Sequence, residues 1–495
     1  MRSSTALLVF LAAVVLVLSP GHADASAARP LTVSLTFDDG LADQLVASRL
    51  LHRNGLGGTF YINSALVGLP GYMTRGDLDG LIAQGHEIGG HTATHANLTA
   101  LSAAEADRQI CLDRNTLLSW GYPVSSFAYP FASLDASVKG IAQRCGYVTA
   151  RAVGSLRSPR SCSHCPVTEG IPPADLYATR TPDDIDTSWS LADLRNTVTR
   201  AEAVGGWLAF NFHHVCDSCS PSSVRPAVFE QFVAWLKARS STSGRTQVRT
   251  VQQVVTGAVK PAVAAIQAAP PGRLGVNTLK NPTLERTSAR SPNVPFCWTA
   301  ASSGTKKAAY SRTTSAHSGP FASRIDMPSA ADGDAKLVPT FDLGDCSPSV
   351  AADHVYELSA WYKSTTDVYF TVYQRNAIGQ WTYWTQSSRL TAARDWTKAT
   401  WITPAFPSDA AAASFGLTID APGTLIIDDL GFVDATPAAA MPPQLPSGAA
   451  TIDATDSAAP ADQSNAGTWF GITGIIIAFL AILAGLLHNR WRRSR

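Results

Sequence analysis

From residue 31 to about residue 259, short apolar runs of β character alternate with amphipathic helical stretches, strand then helix, about eight times over. The strand candidates are 31–38, 58–62, 87–90, 126–129, 147–150, 177–180, 207–213 and 248–251. Helical periodicity marks 41–54, 103–121, 191–205 and 227–239, the last with Phe229, Phe232, Val233 and Leu236 on one face. Such alternation predicts an α/β domain with a parallel sheet over 31–259. A doubly wound open sheet uses the same order. The repeat count, and the scatter of polar residues over many strand ends, favour a distorted (β/α) barrel.

A Pro/Ala-rich linker at 260–274 ends this pattern. Over 275–434 the chain turns to β runs with aromatics and turn residues, which predicts an all-β jelly-roll sandwich. An Ala/Pro/Ser/Asp-rich tether follows at 435–467. At the start, Arg2, an apolar run and small residues around Ala23, Ala25 and Ala27 have the order of a signal peptide over 1–25. Near the end, 469–487 carries no charge and as a helix would cross about 30 Å of hydrocarbon. The basic tail 488–495 belongs on the cytoplasmic side. The expectation is therefore export, with a C-terminal transmembrane helix anchoring the catalytic domain at the cell surface. A formal net charge of +1 gives no electrostatic case for nucleic acid, and no nucleotide cofactor is expected.

In an exported chain, eight cysteines point to disulfides. Pairing Cys111 with Cys145, and Cys297 with Cys346, keeps each bridge within one domain. Cys162, Cys165, Cys216 and Cys219 form two C-x-x-C pairs that suit either disulfides or a structural zinc. The oxidising location favours disulfides.

Polar residues gather at the predicted strand ends. Thr36-Phe37-Asp38-Asp39-Gly40 puts two carboxylates after the first strand, one able to hold a cation and the other to act as a base. His91-Thr92-Ala93-Thr94-His95 adds two imidazoles that converge on one cation if the segment turns. Two histidines and a carboxylate leave coordination positions open, as catalysis requires. The late strand Trp207-Leu208-Ala209-Phe210-Asn211-Phe212 ends in His213 and His214, either of which would serve as general acid.

These motifs, with Ser126 to Phe131 and the approach Gly85-His86-Glu87-Ile88-Gly89-Gly90, resemble the polysaccharide deacetylases of carbohydrate esterase family 4 over roughly 31–258. The resemblance implies Asp38 as general base, and Asp39, His91 and His95 as ligands of a divalent metal, zinc. It also implies His213 as general acid, the Phe131 backbone N–H as oxyanion donor, and Tyr129 beside the substrate. The implied reaction removes N-acetyl groups from an N-acetylhexosamine polysaccharide at the cell surface. A polysaccharide O-acetyl esterase and a non-catalytic glycan-binding protein are the alternatives.

Two departures stand out. The family's third motif often carries an arginine that orients the base, and Ala128 stands in its place. Arg180 is the expected substitute. The fourth motif is only loosely matched by Asp183, Asp184 and Trp189, whose plainer reading is a loop leading to a helix cap before Leu191. In the second domain, Asn281-Pro282-Thr283-Leu284-Glu285 and Ile427-Asp428-Asp429-Leu430 are similar to carbohydrate-binding jelly rolls. Trp361, Tyr369, Tyr373, Trp381, Tyr383 and Trp384 are the candidate sugar platforms there.

Overall fold

All seven residues of Leu31–Phe37 (β1) are buried, as in a parallel strand covered on both faces. In the computed structural model, which describes residues 30–437 except 244–245, 289–290, 305–307 and 329–332, this strand lies at the heart of the first domain. The strands that follow are β2 (Thr59–Ile62), β3 (Glu87–Gly90), β4 (Ser126–Ala128), β5 (Thr149–Ser155), β6 (Thr179–Thr181) and β7 (Gly206–Phe212). Two short strands, β8 (His214–Val215) and β9 (Ser223–Val224), precede β10 (Thr246–Val248). The eight-stranded parallel sheet runs β10-β1-β2-β3-β4-β5-β6, and β7 pairs with β1 along its whole length.

Helices cover the sheet: α1 (Leu45–Arg53), α2 (Arg75–Ala83), α3 (Ala103–Ser119), α4 (Ala136–Arg144), α5 (Leu191–Glu202), α6 (Pro226–Ser243) and α7 (Val251–Val254). Their starts are written locally. Thr74 and Ser190 form capping boxes with Asp77 and Asp193, and the Ser102 and Asp135 side chains cap α3 and α4. Phe229, Phe232, Val233 and Leu236 of α6 are fully buried, as their spacing predicts.

The expected fold class needs two corrections. The sheet does not close into a barrel: among the described residues no strand pairing joins β6 to β7. Pro182 ends β6 with a residue that has no N–H to offer a ladder, and the segment after it fills the gap, the Ile185 N–H donating to the Asn211 carbonyl at 3.0 Å. The membrane-spanning helix finds no support among the described residues. No helix among the described residues is long and apolar enough to cross a membrane. The expected segments 1–25, 469–487 and 488–495 lie outside the described residues. All described residues belong to one unit, Met1–Ala440, and the other unit, Met441–Arg495, lies beyond them.

Beyond the linker, two five-stranded antiparallel sheets make the β-sandwich. One sheet orders Trp298–Ser302, Ala335–Pro339, Ala410–Ile419, Tyr369–Asn376 and Trp381–Gln386. The other orders Ala309–Thr313, Ala322–Met327, Gly423–Asp434, Tyr356–Ser364 and Ala393–Ile402. Strict alternation of buried and half-buried residues along Tyr356–Ser364 shows one face on the core and one on solvent. Of the aromatic candidates, Tyr369 is buried and Trp384 packs on Phe406 in the core, whereas Tyr383 is exposed and Trp361 half-exposed. The sandwich meets α3 of the first domain, where Glu105 accepts from the Leu343 N–H at 2.7 Å and Arg108 pairs with Asp345.

Candidate active site

The parallel strands deliver their C-terminal ends to one edge, and the polar residues named above assemble there. Asp39 follows β1 in the left-handed region at φ 76°, with Gly40 next at φ 65°. Its Oδ1 lies 3.1 Å from His95 Nε2 and 3.4 Å from His91 Nε2. His91 follows β3, and its Nδ1 lies 2.8 Å from the Ala128 carbonyl. A carbonyl only accepts, so Nδ1 carries the proton and Nε2 turns its lone pair toward Asp39. His95 is reached by a tight turn in which Thr92 and His95 both have positive φ, costly backbone of the sort found at functional sites. No Cβ fits at Gly90, where it would stand 2.0 Å from the Tyr147 hydroxyl, so glycine brings β3 close enough to place His91.

A cation fits this set. Asp39 Oδ1 is buried and has no hydrogen-bond partner, although two ring nitrogens face it. The three ligand atoms lie within 4.8 Å of one another, and one carboxylate with two imidazoles suits zinc. Burial would raise the Asp39 pKa, but the His91 and His95 rings beside it outweigh burial and hold the carboxyl well below its ordinary value.

Asp38 is buried beside Asp39, and its backbone N–H donates to Phe212 at 3.0 Å. Its carboxylate pairs with Arg151, itself only 3% exposed and seated over the Tyr61 ring. Burial pushes the Asp38 pKa up; the charges of Arg151, His91 and His213 push it down by more, so the group lies below its ordinary value. Arg180, the expected substitute for the missing motif arginine, is elsewhere. It is locked to Glu169 by bonds of 2.7 and 2.8 Å. Side by side in the β4–β5 register, Ala128 is the partner of Arg151. The guanidinium that position 128 lacks comes from the same level of the neighbouring strand. Asp184 adds a charge favourable to Arg151 and accepts from Asn211.

His213 follows β7 and lines a cavity of about 590 Å³ together with Asp38, Asp39, His91, His95 and Phe131. Its Nδ1 is buried without a hydrogen-bond partner. His214 points away, 2.7 Å from Asp43, so strand alternation separates the two neighbours. Gln44 donates to the His213 carbonyl at 2.8 Å and also to the Asp38 carbonyl, tying the two strand ends together. Phe131, at φ 57°, is 66% exposed, and its ring lies 4.6 Å from that of His95. Tyr129 also lines the cavity, but its hydroxyl donates to the Tyr177 carbonyl at 3.0 Å. Asp183 lines it too and accepts from Ser161, while Trp189 is buried against Phe210.

Parts of the chain are similar to known proteins. Residues 26–150 match the family model described as polysaccharide deacetylase. That segment is similar to polysaccharide deacetylases. A curated relative, a chitin deacetylase of Pestalotiopsis sp, is 38% identical over 86 residues, 16% of this chain and 27% of the relative. The match thus spans about a quarter of that protein's length. Among solved structures, the family 4 carbohydrate esterase from Streptomyces lividans is 16% identical, with a TM-score of 0.32 over 48% of this chain and 100% of that one. The peptidoglycan deacetylase PdaC from Bacillus subtilis is 17% identical, with a TM-score of 0.31 over 46% and 90%. The matched segment contains Asp38, Asp39, His91, His95 and Phe131, and ends one residue short of Arg151.

Within and next to the matched segment, the structure adds residues that the motifs did not mark. Asp113 on α3 is fully buried, accepts from the backbone of Ser64 at 2.9 Å and His91 at 3.0 Å, and has its pKa pushed up to about 7 by burial. Arg151 and Gln44 are the others. A polar or charged residue within a helical or strand segment is the only local signal any of them gives. All eight cysteines are paired: Cys111 with Cys145, Cys297 with Cys346, and each C-x-x-C pair closed on itself, Cys162 with Cys165 and Cys216 with Cys219.

Proposed function

We propose that this protein is a metal-dependent hydrolase that removes N-acetyl groups from an N-acetylhexosamine polysaccharide. The observation that carries the reading is the convergence of Asp39, His91 and His95 on one point, with Asp38 beside it and His213 on the wall of the same cavity. Asp39, His91 and His95 would hold the cation. When bound, a divalent cation such as zinc supplies polarisation of the acetyl carbonyl and a lowered pKa for water.

The remaining work belongs to side chains and backbone. Asp38, kept ionised by Arg151, takes the proton from the attacking water. The water oxygen bonds to the acetyl carbon, and the Phe131 N–H is the donor assigned to the oxygen on which negative charge develops. As the carbon–nitrogen bond breaks, His213 gives a proton to the departing nitrogen, so acetate and a free amine leave. Four disulfides support work in an oxidising compartment outside the cytosol.

The test is acetate release by the purified protein from chitin oligosaccharides, peptidoglycan and acetylated xylan. Release from the amide-bearing polymers is expected. Release from acetylated xylan alone would make the protein an O-acetyl esterase, and none from any polymer would contradict hydrolysis altogether.

A further inference from the structure

The solvent face of the second sheet of the sandwich joins flat aromatic surface to unpaired positive charge. Along Tyr356–Ser364, alternation turns Trp361 and Lys363 outward. On the neighbouring strand Ala393–Ile402, Lys398 is the register partner of Trp361 and so shares its face. Trp396 lies on that face as well, with the Lys363 ammonium 5.3 Å from its ring centre. His317 stacks on Trp361 at 3.9 Å and meets the edge of Trp396 at 5.6 Å, which fixes both indoles in place.

Beside this platform lies a cleft of about 670 Å³, lined by Arg324, Lys363, Arg394, Ser364, Thr365 and Thr424 among others. Arg324 is held by Asp326 through bonds of 2.7 and 2.6 Å. Asp429 is engaged by His317 at 2.6 Å. Lys363, Arg394 and Lys398 have no acidic partner among the described residues. Lysines on an edge strand also deter strand addition, but Lys363 stands on an interior strand between Gly423–Asp434 and Ala393–Ile402.

We propose that this face binds an acidic polysaccharide, its sugar rings lying against the surface of Trp361 and Trp396 that His317 leaves uncovered and its carboxylates meeting Lys363, Arg394 and Lys398. Indole faces suit the apolar side of a pyranose, hydroxyl side chains in the cleft suit its polar rim, and three unpaired cations favour a chain that carries repeated negative charge. The choice of a glycan over other polyanions rests on the deacetylase reading of the first domain. The binding itself is read without catalysis, so failure of acetate release and failure of this proposal are separate results.

The experiment is titration of the full chain with polygalacturonate, with hydroxyethyl cellulose as the neutral polymer and single-stranded DNA as competitor. Polygalacturonate should bind, and raising NaCl from about 0.05 to about 0.5 M should weaken binding about tenfold or more. The doubly substituted Lys363→Ala, Arg394→Ala protein should lose about tenfold or more in affinity, as one lost ion contact each implies. Trp361→Ala should weaken binding as well, while acetate release from a short soluble chitin oligosaccharide stays unchanged in both variants. Equal binding by wild type and the double variant would overturn the proposal. So would tighter binding of the neutral polymer, tighter binding of DNA, or no binding of polygalacturonate.

Discussion

Arg151 and Asp38 are both buried, and each is the other's ionic partner. Removing one member of a buried pair leaves an uncompensated charge, a cost of about 3–5 kcal/mol. In Arg151→Ala the Asp38 carboxylate therefore loses both its orientation and the charge that keeps it ionised. Kcat should fall by about a hundredfold or more with KM little changed, since the loss falls on the reacting step rather than on binding. Arg151→Lys should recover part of the rate by restoring charge without the second N–H. Arg180→Ala should keep kcat, because its guanidinium serves Glu169. Steady-state acetate release from these three variants decides the matter, and a large kcat loss in Arg180→Ala alone would reverse the assignment. At this scale the sequence was readable where ligands lie close along the chain, as with Asp38, Asp39, His91 and His95. Arg151 was not, because its neighbour in space is Ala128, 23 positions earlier on the adjacent strand, and register between strands is not written in local spacing.

The elements hold the site by buried polar contacts as much as by apolar packing. Where β2 approaches the turn before β3, the Gly58 N–H donates to His86 Nδ1 at 3.1 Å, and His86 Nε2 lies 3.2 Å from the Ser48 carbonyl on α1. Nδ1 must therefore be bare and Nε2 protonated, which is the neutral ring. Burial pushes the His86 pKa down to about 4, from 6.5 in the free residue. Between those two values the unfolded chain binds more proton than the native one, so this residue's contribution is complete above about pH 6.5 and is lost as the pH falls toward 4. The expected loss is about 2–3 kcal/mol across the window. Urea midpoints measured from pH 7 to pH 4 should fall more steeply for wild type than for His86→Asn, and parallel slopes would contradict the account. Strand and helix placement in this domain was largely legible, because apolar periodicity and caps are local signals. Closure was not: it depends on whether β6 and β7 find each other, and Pro182 with the Ile185–Asn211 bond decides that through contacts far apart in the chain.

Across the whole molecule, α3 links the two domains to the site. Glu105 and Arg108 near its start hold the 342–347 turn of the sandwich, which the Cys297–Cys346 bridge also fastens, and Asp113 two turns later holds the His91 backbone. The sandwich as an all-β unit was legible from its change of periodicity at the linker. Its docking on α3 was not, since a buried Glu–Arg pair on a helix reads as an ordinary surface pair until a partner covers it. The account as a whole stands on a cation held by Asp39, His91 and His95 serving hydrolysis at Asp38. Its most direct test joins metal content to acetate release in one titration of the full protein. Wild type stripped with chelator should release no acetate from an N-acetylated chitin oligosaccharide and should regain its rate at one equivalent of zinc per chain, while His91→Ala, His95→Ala retains neither metal nor activity. Undiminished acetate release from fully stripped wild-type protein would contradict the account.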